Sequence, residues 1–465
     1  MANTPPEQHR VASNASEDAV TVDATELLYE LNARPKPLTA LVVAFQHLMS
    51  MIVGIITPPL LICQALQVPA TDTNLIISMS LLISGIATFV QCKRVGPVGS
   101  GLLTVQGTSF NFLGPIIGGG TAMIQGGASV EAVLAAIFGV IMVGSFAEML
   151  LSRLLPLVRR VITPLVTGIV VLLIGLTLIK VGLISMGGGY AAMNDGSFAS
   201  YANLFLSITV LAIIIVLNRV RITWLRTSAI IIALAVGYAI AAWQGRLDFG
   251  DLSTVAFFQL PMPLHYGLDF SWGLFVPMLV IYLVTSLEAI GDITATSAVS
   301  RQPVSGPIWL ARIKGGVLAN GLGSLLAGLF NSFPSSVFSQ NNGVIQLTGV
   351  ASRYIGMWVA GLLVLLGLFP VVAGVIQAMP EPVLGGATIV MFGSVAAAGI
   401  NILASTQLDR RALLILAVSL AMGLGVSQVP EVLQNLPDVV KSILSSGVAT
   451  GGLTAMLLNL VLPER

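Results

Sequence analysis

Glu288 and Asp292 stand four residues apart in the run Thr285-Ser286-Leu287-Glu288-Ala289-Ile290-Gly291-Asp292, inside a stretch otherwise apolar enough to lie in a membrane. At that spacing two side chains share one face of an α-helix. A carboxylate in hydrocarbon costs about 3 kcal/mol or more, so both should turn toward the protein interior. No Lys or Arg lies at mid-depth to pair with them. Two such carboxyls can take up and release a proton and accept hydrogen bonds from the N–H groups of a ligand. The other reading is a pair satisfied by a basic residue or by helix ends. Glu148 lies less deep and close to Arg153, where the pattern suggests an interfacial ion pair.

A second polar cluster lies in Phe333–Gly356, where the run Ser339-Gln340-Asn341-Asn342-Gly343 falls in the middle of what should be a membrane helix. Unsatisfied polar groups at that depth cost several kcal/mol each unless they line a cavity or meet partners. The stretch therefore reads as a broken helix lining a site, with a polar helix–helix contact as the other reading. Gly343 after Asn342 allows a close approach of backbone. Gln106, Thr108, Ser109 and Asn111 form a similar cluster between apolar neighbours, and Phe110 and Phe112 could stack on a flat ligand or pack against a helix. His47, in Ala44-Phe45-Gln46-His47-Leu48, is the only histidine in an apolar span. It reads equally as a partner of the carboxylates or as a packing residue. Amides, carboxylates and free backbone donors around one pocket suit a neutral, planar, hydrogen-bonding molecule better than a cation or a lipid.

The elements that must hold these residues are membrane spans. The chain is 55% apolar and 9% charged with 48 Gly and a net charge of +1, which excludes a soluble globule and gives no footprint for nucleic acid. Cys63 and Cys92 have no metal-ligand spacing, and no HExxH, Walker A or CxxC motif is present, so neither a metal nor any other cofactor is expected. Residues 1–37 are polar, lack the pattern of a signal peptide, and are expected to form a cytoplasmic tail with a short amphipathic helix near Ala24–Leu31. Fourteen spans fit, near 38–64, 73–92, 97–120, 129–152, 160–182, 203–218, 226–243, 271–298, 313–330, 333–350, 355–377, 382–403, 410–427 and 440–462. Lys93, Arg94, Arg153, Arg159, Arg160, Arg219, Arg221, Arg226, Arg301, Arg312, Lys314, Arg353, Arg410 and Arg411 fall in even-numbered connections or at their edges, while the odd-numbered ones carry only Lys180, Arg246 and Lys441. Both termini are then cytoplasmic.

The halves repeat. Pro164-x-x-x-Gly168 followed by Gly175 recurs as Pro382-x-x-x-Gly386 followed by Gly393, at an offset of 218; Gln106 and Gln340 are 234 apart. Seven spans separate the members of each pair. Seven is odd, so the second copy is inverted, and the expected fold is an all-α polytopic membrane protein of 7+7 inverted repeats with spans 3 and 10 interrupted. That architecture belongs to transporters with a site near the membrane midplane.

At Gln340-Asn341-Asn342-Gly343-Val344-Ile345-Gln346-Leu347-Thr348-Gly349 the sequence is similar to the signature of the nucleobase–ascorbate transporters, also called nucleobase:cation symporter-2. Ser286–Ser297 (SLEAIGDITATS), Gln106–Phe112 (QGTSFNF), Gly96–Leu103 (GPVGSGLL) and Lys314–Gly321 (KGGVLANG) also resemble that family, and its bacterial xanthine permease branch most of all. The resemblance covers essentially everything after residue 25. It implies short extended strands in the interrupted spans, a core domain (38–152 and 271–377) moving against a gate domain (160–243 and 382–462), and a homodimer. By position it implies that Glu288 hydrogen-bonds the base and that Asp292 takes part in proton coupling. It further implies that Gln340 recognises the purine, that Asn341 and Ser109 tune affinity and choice with Phe110 beside them, and that His47, Gly343 and Gln106 support the site. One departure is Asn320, where some xanthine transporters carry Asp; the coupling then falls on Glu288 and Asp292.

The expected function is import of a purine base, xanthine, with protons across a bacterial inner membrane, driven by the proton gradient and with no enzymatic step. Uric acid or uracil could replace xanthine. An anion exchanger or channel shares the architecture, but it would want a basic residue near the broken spans, and none occurs in 97–152 or 315–352.

Overall fold

The computed structural model describes residues 27–462 apart from 159–162, 190–191, 194–195, 223–224, 226–227, 248–257, 305, 339, 372–377, 405, 437–439, 442–443 and 445–446. Among these, fourteen α-helices of at least nine residues are delimited: α1 (Pro37–Ala65), α2 (Ala70–Lys93), α3 (Leu113–Gln125), α4 (Val130–Val158), α5 (Pro164–Gly187), α6 (Tyr201–Arg219), α7 (Ala229–Trp243), α8 (Trp272–Val299), α9 (Gly306–Leu329), α10 (Gln340–Thr348), α11 (Arg353–Gly367), α12 (Glu381–Ala404), α13 (Arg410–Gln428) and α14 (Gly447–Val461). Two three-residue strands, β1 (Gln106–Thr108) and β2 (Ser335–Val337), pair antiparallel with Gly107 opposite Ser336.

Among the described residues, eight helices (α1, α2, α4, α5, α6, α8, α12 and α13) are long and apolar enough to cross a membrane, and α7, α11 and α14 are shorter apolar helices. The chain is a multi-pass membrane protein. Local chemistry sets the helix ends. Thr163 and Asp409 cap α5 and α13, their side-chain oxygens accepting from Val166 N and Ala412 N, and Pro37 and Pro164 occupy first-turn positions where no N–H is missed.

The main packing falls into two sets. α4 lies on α9 and α8, α2 on α11 and α9, and α1 on α11, α2 and α3, with the strands between them. In the other set α5 and α12 share a long contact, flanked by α6, α7, α13 and α14. The sets meet chiefly through α1, which touches α7 and α12, and through α8, which touches α5 and α14. With no hydrophobic drive between helices in lipid, such contacts rest on close backbone approach at small residues. At Gly175 a Cβ would come 2.3 Å from Ala396 N, and at Gly399 one would come 2.4 Å from Leu172 N. Gly175→Val is therefore expected to force α5 off α12 at a cost of about 1–3 kcal/mol or more. The check is the unfolding temperature of the detergent-purified protein, which should drop well below that of wild type. The second member of the sequence repeat behaves differently: Gly386 packs on Ser207 of α6, and Gly393 faces open space.

Three local readings change. Residues 24–26 lie outside the described residues, but Leu27–Leu31 is not helical. Tyr29 forms a parallel bridge with Val350, and Leu31 O accepts from Arg353 N at 3.0 Å. The backbone groups there pair with the α10–α11 connection, which offers an extended partner that a helix could not use. The amide run does not interrupt the chain: Gln340–Asn342 is the first turn of α10, and the extended segment lies upstream at Ser335–Val337. Pro334 and the pairing to β1 fix that offset, because Ser109 N donates to Pro334 O at 2.8 Å and continues the ladder. Finally, α9 begins at Gly306, a turn and more before the start read from hydropathy.

Candidate functional site

The β1–β2 pair is the scaffold of the site. It is cradled by α1, α2, α8 and α9, and its placement depends on glycines. The loop ahead of β1 turns at Gly99 (φ +105°), where a Cβ would meet Val90 O at 2.3 Å. Gly99 N donates to Gly315 O at 2.8 Å, and Gln91 bridges Ser100 N and Gly316 O at 3.0 and 2.9 Å. The Gly96–Leu103 and Lys314–Gly321 stretches thus meet face to face. Gly107 sits against Ile55 and the ring of Phe338, and a Cβ there would lie 2.5 and 2.6 Å from them.

Beyond β1 the chain turns through a 3-10 segment, Phe110–Phe112, capped by Ser109, whose Oγ accepts from Asn111 N at 3.4 Å. That turn aims Asn111 at α8. Its Nδ2 donates to Glu288 Oε2 at 2.6 Å, engaging one oxygen of a carboxylate that is only half-buried. Phe110 is nearly buried and meets Phe392 of α12 edge-on, with ring centroids 5.6 Å apart, so the turn spans the two sets of helices. Phe112 packs on Tyr282 at 4.7 Å. One turn further along α8, Asp292 is also half-buried. Its backbone carbonyl is reached by Asn342 Nδ2 at 3.5 Å, and Thr296 Oγ1 lies 2.6 Å from Asn342 Oδ1. The two carboxylates share the face that looks toward the 3-10 turn and α10.

The partner given to His47 is an amide: its Nδ1 lies 3.3 Å from Asn341 Oδ1, while Asn341 Nδ2 donates to Leu103 O at 2.5 Å. Since Asn341 Oδ1 can only accept, His47 carries its hydrogen on Nδ1 in this contact. Asn341 is buried and both ends of its amide are held by protein, which ties the first turn of α10 to α1 and to the loop before β1. Gln340 begins α10, but its side chain lies outside the described residues; Gly343 lies within the same helix. The hydrogen bonds of Gln106 do not reach Glu288. They run to Asn320 and Ser335 beneath the strands, at 2.9 and 3.2 Å.

Glu148 is the correction of most consequence. It is 0% exposed, and its Oε1 accepts from Asn320 Nδ2 at 2.7 Å with Ser286 Oγ at 3.3 Å, while Arg153 is exposed further along the helix. Asn111 and Asn342 also gain weight as the side chains that address Glu288 and the Asp292 turn. Cys63 and Cys92 are buried free thiols, and no metal-binding group of His, Cys, Asp and Glu occurs among the described residues.

Carboxylates, amides and aromatic rings gathered at a pair of short strands inside a bundle of membrane-spanning helices are the setting of a membrane carrier. The chain belongs to the Permease family (Xan_ur_permease), whose pattern matches residues 38–432; this is the nucleobase–ascorbate transporter family named above. It is 56% identical over 457 residues to the xanthine permease XanP of Escherichia coli K12, covering 97% of this chain and 99% of that one. It is 45% identical over 439 residues to the xanthine permease XanQ of the same strain, covering 94% of each. The fold is similar to the transmembrane domain of the bicarbonate transporter BicA of a cyanobacterium, at 17% identity and a TM-score of 0.59, over 89% of this chain and 99% of that one. The last likeness is one of fold alone.

Proposed function

We propose that the protein imports xanthine with protons across a bacterial inner membrane. The observation that carries this reading is the Glu288–Asn111 contact: a half-buried carboxylate, held through one oxygen, at the junction of α8 with the capped turn after β1. A purine docked there would give its N–H groups to Glu288 and present its carbonyl and imide edge to Gln340, with Ser109 and Phe110 beside it. Asp292, shared with Glu288, would hold the coupled proton.

The same reading has fourteen spans in two inverted repeats of seven. The packing supports it: exchanging each helix for the one seven places away in the other half turns α4 on α9 into α11 on α2, α1 on α12 into α8 on α5, and α1 on α7 into α8 on α14, all of them contacts of this chain. Residues 38–152 and 271–377 would form the substrate-binding body and 160–243 with 382–462 the gate, in a homodimer. The tail would be cytoplasmic, as its pairing with the connection that carries Arg353 requires if basic connections lie inside.

Uptake of labelled xanthine by cells lacking their own purine importers tests the reading. Saturable uptake is expected, abolished by a protonophore and blocked by unlabelled xanthine more strongly than by uric acid, uracil, guanine or hypoxanthine. Uptake indifferent to the protonophore would remove the proton from the mechanism, and uric acid as the stronger competitor would reassign the substrate.

A further inference from the structure

Resting on the proton-coupled reading, we infer that Glu148 is a proton-exchanging group of the transport cycle, coupled to the β1–β2 pair by a buried chain of amides. The chain runs from Ser335 Oγ, which donates to Gln106 Oε1 at 3.2 Å, to Gln106 Nε2, which donates to Asn320 Oδ1 at 2.9 Å, to Asn320 Nδ2, which donates to Glu148 Oε1 at 2.7 Å. Ser335, Gln106, Asn320 and Glu148 are 3%, 0%, 0% and 0% exposed. Every donor points toward the carboxyl. Bonds aligned in this way polarise one another in a low dielectric. A change of charge at Glu148 is therefore felt in the side chains of both strands, one leading into Ser109 and Phe110 and the other into α10.

Among the described residues, no cation faces Glu148 to balance a negative charge. α4 packs on α3, α8 and α9. α3 carries no titratable group; α8 presents Tyr282, whose hydroxyl is given to Ile141 O at 3.0 Å, together with the acids Glu288 and Asp292. The cations of α9, Arg312 and Lys314, lie in its first turns, well before Asn320. On α4 itself Glu131 and Arg153 lie near the ends and are exposed. The donors that reach Glu148, Asn320 and Ser286, are neutral, and its Oε2 is buried with no hydrogen-bond partner. A carboxyl inside a membrane, facing protein and met only by neutral donors, is an expected place for a moving proton. The proton comes from water on the outer side, resides on the carboxyl, and returns to water on the inner side. Only O–H bonds are made and broken. Ser286, two residues before Glu288, brings this carboxyl against α8, the helix that carries Glu288.

The test uses purified protein in proteoliposomes and labelled xanthine, comparing accumulation driven by an imposed proton gradient with counterflow at equal pH. Glu148→Gln keeps the acceptor for Asn320 but cannot carry a proton; it is expected to lose gradient-driven accumulation and to retain counterflow. Adding Asn320→Asp moves the acid one step along the chain and reverses the same hydrogen bond, and it is expected to restore accumulation. Glu148→Gln accumulating like wild type overturns the inference. So does equal loss of accumulation and counterflow without recovery in the double variant, which is the outcome of a packing role. Wild-type counterflow without gradient-driven accumulation would instead remove proton symport itself, and that result is read before any variant is made.

Discussion

Glu288→Gln is expected to reduce xanthine uptake to background at wild-type surface expression. Glutamine has nearly the shape of glutamate, and its oxygen can still take the Asn111 amide that now lies 2.6 Å from Oε2. The second position then becomes an N–H donor where a purine N–H needs an acceptor. Two donors facing each other lose the bond and leave both groups unmatched. Hydrogen bonds to charged groups contribute about 1.5–3 kcal/mol, so affinity alone should fall by about tenfold to a hundredfold. If Glu288 shares the coupled proton, as proposed above, its loss at the same position would remove the driving force as well. Glu288→Asp keeps the charge but draws it back from Asn111, and should leave weak uptake with a raised KM. The measurement is initial-rate uptake over a range of xanthine concentrations, normalised to protein in the membrane. Unchanged kinetics in Glu288→Gln would mean that the base docks elsewhere.

Glu288 stands out in the sequence because its signal is local. Two acids four residues apart in an apolar run need one helix and one period to be read. Eight of the helices are legible for a similar reason: they are long apolar segments, and each falls on an expected span to within a few residues. Glu148 shows where local reading ends. Arg153 is its nearest charge along the chain, but five residues on a helix is a rotation of about 140° past a full turn, so the two leave the helix in different directions. Its actual partner, Asn320, is 172 residues away, and His47 meets Asn341 across 294. Such pairs exist only once α4 lies on α9 and α1 lies on α10. The amide run misleads in a related way. Gln340–Asn342 has the composition of a break, yet the helix begins there, because Ser335–Val337 pairs with a strand more than two hundred residues earlier, at Gln106–Thr108. The partners of Glu288, Glu148 and His47 are hidden because each depends on a contact between elements from opposite halves of the chain.

Gly107→Val is expected to abolish transport with most of the protein still inserted. Gly107 lies in β1 opposite Ser336, and the ring of Phe338, one residue past β2, lies over it. The same ring approaches Gly54 of α1, where a Cβ would come within 3.0 Å of it. Phe338 thus occupies a slot cut by two glycines, one on a helix and one on a strand, and it is 5% exposed. Its backbone N–H donates to Val105 O at 3.0 Å, and its carbonyl accepts from Asn341 N at 3.1 Å. Anything that displaces the ring therefore moves β2 and the first turn of α10 together. A valine at 107 would overlap both the ring and Ile55, which is fully buried. Overpacking at such a place costs about 1–3 kcal/mol and is relieved by backbone shifts. A shift of β1 carries Ser109, Phe110 and Asn111 away from Glu288, so function fails before the helical bundle does. Gly107→Ala combined with Phe338→Leu should recover part of the uptake lost in Gly107→Ala alone, since the shorter side chain frees the volume that the new methyl needs. Uptake and membrane abundance measured together for the three variants decide the point: wild-type rates in Gly107→Val would mean that the strand pair does not position the site.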